Sequence, residues 1–107
     1  MPVHNKLVRD KIPEIIKNSN KKFTARILSE TEYAQELKKK LYEEIEEYMT
    51  AENDEEAVAE LADLSEIIYS LAKVHGKKPE DLEKLRKNKA DQRGSFQEKI
   101  YLLEVED

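Results

Sequence analysis

Only Thr50 to Asn53 separate two long stretches whose apolar residues recur with helical spacing. A connection that short leaves two helices no arrangement except an antiparallel hairpin. Each stretch opens on a capping signal, Ser29 followed by Glu32 and Asn53 followed by Glu56. In such a box the first side chain accepts a hydrogen bond from the backbone three residues on, and the acid reaches back. The hairpin is therefore expected over about 29–49 and 53–75, with Gly76 at the C′ position of its second arm. The apolar stripes read Ala34, Leu37, Leu41, Ile45 and Tyr48, then Val58, Leu61, Leu64, Ile67, Ile68, Leu71 and Ala72. The second is wider than a few short helices can cover, which points to a homodimer or homotetramer.

Around the hairpin, Asp10 is placed to cap a short helix through Lys17, with Pro13 in its first turn. Pro79 opens a fourth helix toward Ala90, and Arg93-Gly94-Ser95-Phe96 reads as a loop. Phe23, Ala25 and Ile27 alternate as in a half-buried strand, and Ile100 to Val105 reads as a second one. The expected fold is a compact, mainly α bundle with a minor two-stranded β element over about 22–28 and 99–105. At 107 residues, 1–107 is a single domain. There is no cysteine, so disulfides and thiolate metal sites are excluded. No apolar run is long enough to span a membrane, and the N-terminus has no signal-peptide core, so a cytoplasmic protein is expected.

Two acid pairs lie against the hydrophobic grain of the hairpin: Glu44 with Glu47, and Glu60 with Asp63. Spacing i, i+3 makes the members of each pair neighbours on one helix face. At about 100° per residue, with Leu41 as zero, Glu44 falls about 60° to one side and Glu47 about 120°. With Leu61 as zero, Glu60 falls at about −100° and Asp63 at about −160°. Four carboxylates gathered between facing helices repel one another unless a cation is present, and a hard divalent metal takes oxygen ligands. Read from the residues alone, the same acids also suit salt bridges to Lys38, Lys39 or Lys40. His75, just before Gly76, reads as a helix-end residue rather than a ligand. Tyr48 and Tyr69 read as core.

The charge is segregated. Residues 1–28 carry seven basic and two acidic groups, 29–72 three basic and fourteen acidic, and 73–107 nine basic and eight acidic. An acidic middle between basic flanks suits a metal-bound polyanion, and equally the solvated faces that charge blocks form, and it opposes nucleic-acid binding.

Lys40-Leu41-Tyr42-Glu43-Glu44-Ile45-Glu46-Glu47 followed by Glu60-Leu61-Ala62-Asp63 resembles the ExxE…ExxD signature of the all-α nucleoside triphosphate pyrophosphohydrolases, the MazG-like superfamily. The block Asn5-Lys6-Leu7-Val8-Arg9-Asp10-Lys11-Ile12-Pro13-Glu14-Ile15-Ile16 and the later Lys89…Arg93-Gly94-Ser95-Phe96 are similar to a small single-domain, phosphoribosyl-ATP pyrophosphohydrolase-like subgroup. That loop usually reads RGGF, and Ser95 here replaces its second glycine. The resemblance implies hydrolysis of a nucleoside triphosphate between its α and β phosphates, in a nucleotide-pool house-cleaning role. Glu44, Glu47, Glu60 and Asp63 would hold Mg²⁺, with Mn²⁺ as a possible substitute. Glu47, with Glu44, would do the proton chemistry, and Lys6, Arg9, Lys11, Lys89 and Arg93 would hold phosphate. Two rivals stand beside this reading: phosphoribosyl-ATP hydrolysis in histidine synthesis, and a non-catalytic helical interaction module.

Overall fold

The computed structural model describes residues 2–107, which form four helices: α1 (Ile12–Asn18), α2 (Glu30–Met49), α3 (Asp54–Val74) and α4 (Pro79–Arg93). α2 packs along α3 as the expected hairpin, and α4 packs on α3. No helix is long and apolar enough to cross a membrane among the described residues.

The helix ends follow from local chemistry. The Ser29 hydroxyl accepts from the Glu32 backbone N–H at 3.2 Å, and the Glu32 carboxylate accepts from the Ser29 N–H at 3.2 Å. Arg26 donates to both Glu32 oxygens, at 3.3 and 2.8 Å, which ties the preceding segment to the start of α2. That guanidinium, with the Ser29 donors, holds the Glu32 carboxyl down at about 2. At α3, Asn53 Oδ1 accepts from the Glu56 N–H at 2.8 Å, but the Glu56 carboxylate takes the N–H of Glu52, one residue earlier than a full box requires. α3 closes with the Lys77 N–H on the Ala72 carbonyl and the Gly76 N–H on the Lys73 carbonyl. This is a Schellman motif, with Gly76 at φ +78°. α4 opens on Pro79, and Asp81 accepts from the Lys78 N–H at 2.9 Å.

Two expectations need correction. Asp10 does not cap α1: Lys11 holds the N-cap position without a side-chain bond, and the Ile12 N–H is met by the Arg9 carbonyl at 3.0 Å. A backbone turn supplies what the carboxylate was expected to supply. The β pair over 22–28 and 99–105 is absent, and no strand occurs among the described residues. Alternation sorts side chains onto faces but does not bring a partner edge within hydrogen-bonding reach. Lys99 adopts φ +59°, turning the chain where the second strand would begin, and Ile27 and Ile100 stand 96% and 81% exposed.

Among the described residues the buried apolar core is one side chain per hairpin arm, Leu37 on α2 and Ile67 on α3. Leu41, Leu64, Leu71 and Ala72 are half-buried beside them. Ile45, Tyr48 and Tyr69 are exposed, so the two tyrosines are not core. The bundle is extended rather than compact, measuring 61 × 35 × 26 Å. With so small a core, Leu37 should dominate stability. Leu37→Ala is expected to cost about 2–5 kcal/mol, read as a lowered midpoint in urea unfolding followed by helical circular dichroism.

Candidate metal centre

The buried side of each hairpin arm is centred on an acid. Beyond the capping residue Glu32, the α2 residues that lose solvent are Tyr33, Ala34, Glu36, Leu37, Lys40, Leu41 and Glu44. At about 100° per residue their mean direction lies about 60° from Leu41, which is the direction of Glu44. On α3, Ala57, Glu60, Asp63, Leu64, Ile67, Ser70, Leu71 and Ala72 lose solvent, whereas Leu61 stays 45% exposed. Their mean lies near Glu60 rather than near Leu61. Both acids therefore lie within the solvent-shielded side of their helix, not at its margin.

Antiparallel packing then brings the pairs together. Glu44, Glu47 and Glu60 each offer a carboxylate oxygen, and these atoms all lie within 4.8 Å of one another. An ion bound to oxygens at roughly 2.1–2.4 Å places opposite ligands about 4.2–4.8 Å apart, so the spacing admits a hard divalent cation. Oε2 of Glu44 and Oε2 of Glu60 are buried and have no hydrogen-bond partner. Buried, unpartnered carboxylate oxygens are costly, and a cation is the partner whose chemistry fits two or three of them at once. Glu47 is exposed and closes the solvent side of the trio.

The electrostatics carry the same signature. Burial, then the adjoining Glu60 and Glu47 carboxylates, with which only a protonated Glu44 can share a hydrogen bond, push the Glu44 carboxyl up to about 7. The negative charges of Glu47 and Asp63 add to the effect.

Asp63 stands apart from the trio. Its Oδ1 accepts from Arg9 Nη2 at 2.7 Å, and both side chains are substantially exposed. Among the described residues this is the single salt bridge to any of the four acids. The lysines of α2 do not neutralise them: Lys39 pairs with Glu36 at 2.8 Å, and Lys38 and Lys40 form no salt bridge. Arg9 was expected to hold phosphate, and its contact with an acid of the quartet was not foreseen. The positive balance of residues 1–28 against the negative middle was the available signal.

The other basic residues are more scattered. Lys6 lines a shallow groove with His4, Glu36, Lys39, Lys40 and Glu43 on the α2 side. Lys11 stands at the N-cap position of α1 without a capping bond, and Lys89 and Arg93 lie in the final turns of α4 without salt-bridge partners among the described residues. In the loop after α4, Gly94 takes φ +82°, whereas Ser95 does not need positive φ, so serine there carries no backbone strain. His75 is the C-cap of α3, as expected.

A group whose folded-state pKa is raised stabilises the fold while it is protonated and loses that contribution as pH rises. In the presence of EDTA, Glu44 should therefore make stability fall as pH climbs from about 4.5 to about 7 and level off above. The charged groups acting on Glu44 are Glu47, Glu60 and Asp63, the last paired with Arg9. Glu44→Gln should remove the slope, and melting temperatures of both proteins across this range check it. A slope unchanged in the variant would place the titration elsewhere.

No known protein family, curated protein or solved structure matches this chain at a significant level. The functional reading rests on the acids and their surroundings.

Proposed function

We propose that the chain is a Mg²⁺-dependent nucleotide pyrophosphohydrolase that cleaves a nucleoside triphosphate between its α and β phosphates. The observation that carries the proposal is the pair of buried carboxylate oxygens, on Glu44 and Glu60, that face a third acid and have no protein partner. A divalent cation held there neutralises a polyphosphate and acidifies a bound water. Glu44 and Glu60 supply the inner ligands, with Glu47 at the solvent side. Because Glu47 is exposed, its carboxylate is also the one placed to accept a proton from an attacking water.

Arg9 gives the site a cation at its rim. Its guanidinium is already 2.7 Å from Asp63, and its planar fork suits a phosphate as well as a carboxylate. In this reading Arg9 turns to phosphate when Asp63 turns toward the trio as fourth ligand. Lys6 and Lys11 flank Arg9 in sequence, and Lys89 and Arg93 supply further positive charge from the end of α4.

The test is pyrophosphate release from ribo- and deoxyribonucleoside triphosphates and phosphoribosyl-ATP, with Mg²⁺ or with EDTA. Release is expected with Mg²⁺ alone, with Mn²⁺ able to replace it. Glu60→Gln should lower the rate by at least about 100-fold, since even indirect supports of a metal site cost 10–100-fold. A clear preference for phosphoribosyl-ATP would move the role to histidine synthesis. No release from any substrate would favour the interaction module.

A further inference from the structure

The chain exposes more surface than its mass allows for a globular monomer. It presents 10318 Å² to solvent, whereas a monomer of 12.5 kDa presents roughly 6,000 Å². Its radius of gyration is 18.3 Å, against roughly 13 Å for a compact chain of this length. Exposed apolar side chains also occur along residues 3–27, but they form two continuous groups elsewhere.

One is the segment 96–105, where Phe96, Ile100, Tyr101, Leu102, Leu103 and Val105 are between 72% and 95% exposed. Its residues belong to no helix or strand, and among the described residues the only backbone hydrogen bond from within it is the local one from the Lys99 N–H to the Phe96 carbonyl. The other is the outer face of α3, where Val58, Leu61, Ile68 and Tyr69 share a sector of about 100° and are 41–64% exposed. Contiguous apolar surface of this kind marks an interface.

A second copy of the chain is the occupant these features fit. A stable pair buries about 800 Å² on each partner, well inside the surplus. The same chain carries both the apolar segment and an apolar face to receive it. Ten extended residues reach about 33 Å, and the 21 residues of α3 run about 31 Å. The segment leads into Glu104, Glu106 and Asp107, while α4, packed on α3, carries Lys84, Lys87 and Lys89. α4 as a whole is nearly balanced, five basic residues against four acidic, and it is its three lysines that complement the acidic end of the arm.

We infer that residues 96–105 are an arm that lies along the outer face of α3 in a second copy of this chain, with its acidic end against that copy's α4. The exchange is reciprocal about a two-fold axis. It does not depend on the metal chemistry.

Sedimentation equilibrium of the full chain should give twice the 12.5 kDa chain mass at micromolar concentration. Ile100→Asp with Leu102→Asp should raise the dimer dissociation constant at least about 30-fold and leave helical circular dichroism unchanged. Contact is read by mixing two single-cysteine proteins, Leu102→Cys and Ile68→Cys, in a chain that has no cysteine of its own. A disulfide between the two chains is expected. A monomer at all concentrations, a dimer indifferent to the arm substitutions, or a disulfide formed only within a chain carrying both cysteines would each overturn the inference.

Discussion

The structure depends on the contact between α2 and α3, and the shielded side of each helix carries an acid, Glu44 or Glu60. In most helical hairpins the middle of the interface is filled by large apolar side chains, whose burial holds the helices together. Here Glu44 and Glu60 share the shielded sides with one buried apolar residue on each arm, Leu37 and Ile67. Carboxylates so placed oppose the packing that surrounds them when both are ionised. Protonation of Glu44 relieves part of that opposition, and a cation between the three acids relieves it while leaving them charged. Stability and cation affinity are thus two readings of one arrangement.

The same constraint orders the rest of the molecule. A hairpin that gives part of its shielded sides to acids has little apolar burial left, and much of its apolar side-chain surface faces outward on α3 and along 96–105. The basic N-terminal segment is drawn to the acids, with Arg9 on Asp63 at 2.7 Å holding residues before α1 beside the hairpin. Charge segregation along the chain becomes charge pairing in space.

What was legible in the sequence was local. Ser29 with Glu32, Asn53, Pro79 and Gly76 mark helix ends through bonds to neighbours within a few residues, and each stands where expected. The short Thr50–Asn53 link dictated the hairpin, and the hairpin brought Glu44, Glu47 and Glu60 together. What was not legible depended on partners distant in sequence. The alternation in 22–28 and 99–105 carries no information on whether the two segments meet, and they do not pair. Placing the zero of the wheel on Leu61 assumed that hydrophobicity marks the buried face, which put Glu60 at its margin. The face is centred on the acid because its burial is set by the facing helix and not by its own polarity. Asp63 was grouped with the other acids by spacing, yet its contact is Arg9, a choice that only the fold could make.

Direct cation binding tests the central claim. Mn²⁺ titrated into the full chain and followed by its electron paramagnetic resonance signal should show saturable binding that Mg²⁺ displaces. Glu60→Gln should abolish that binding while keeping the helical content of the wild type. Absence of saturable binding, or binding unaffected by Glu60→Gln, would contradict the account and leave the buried carboxylates as groups satisfied by protonation alone.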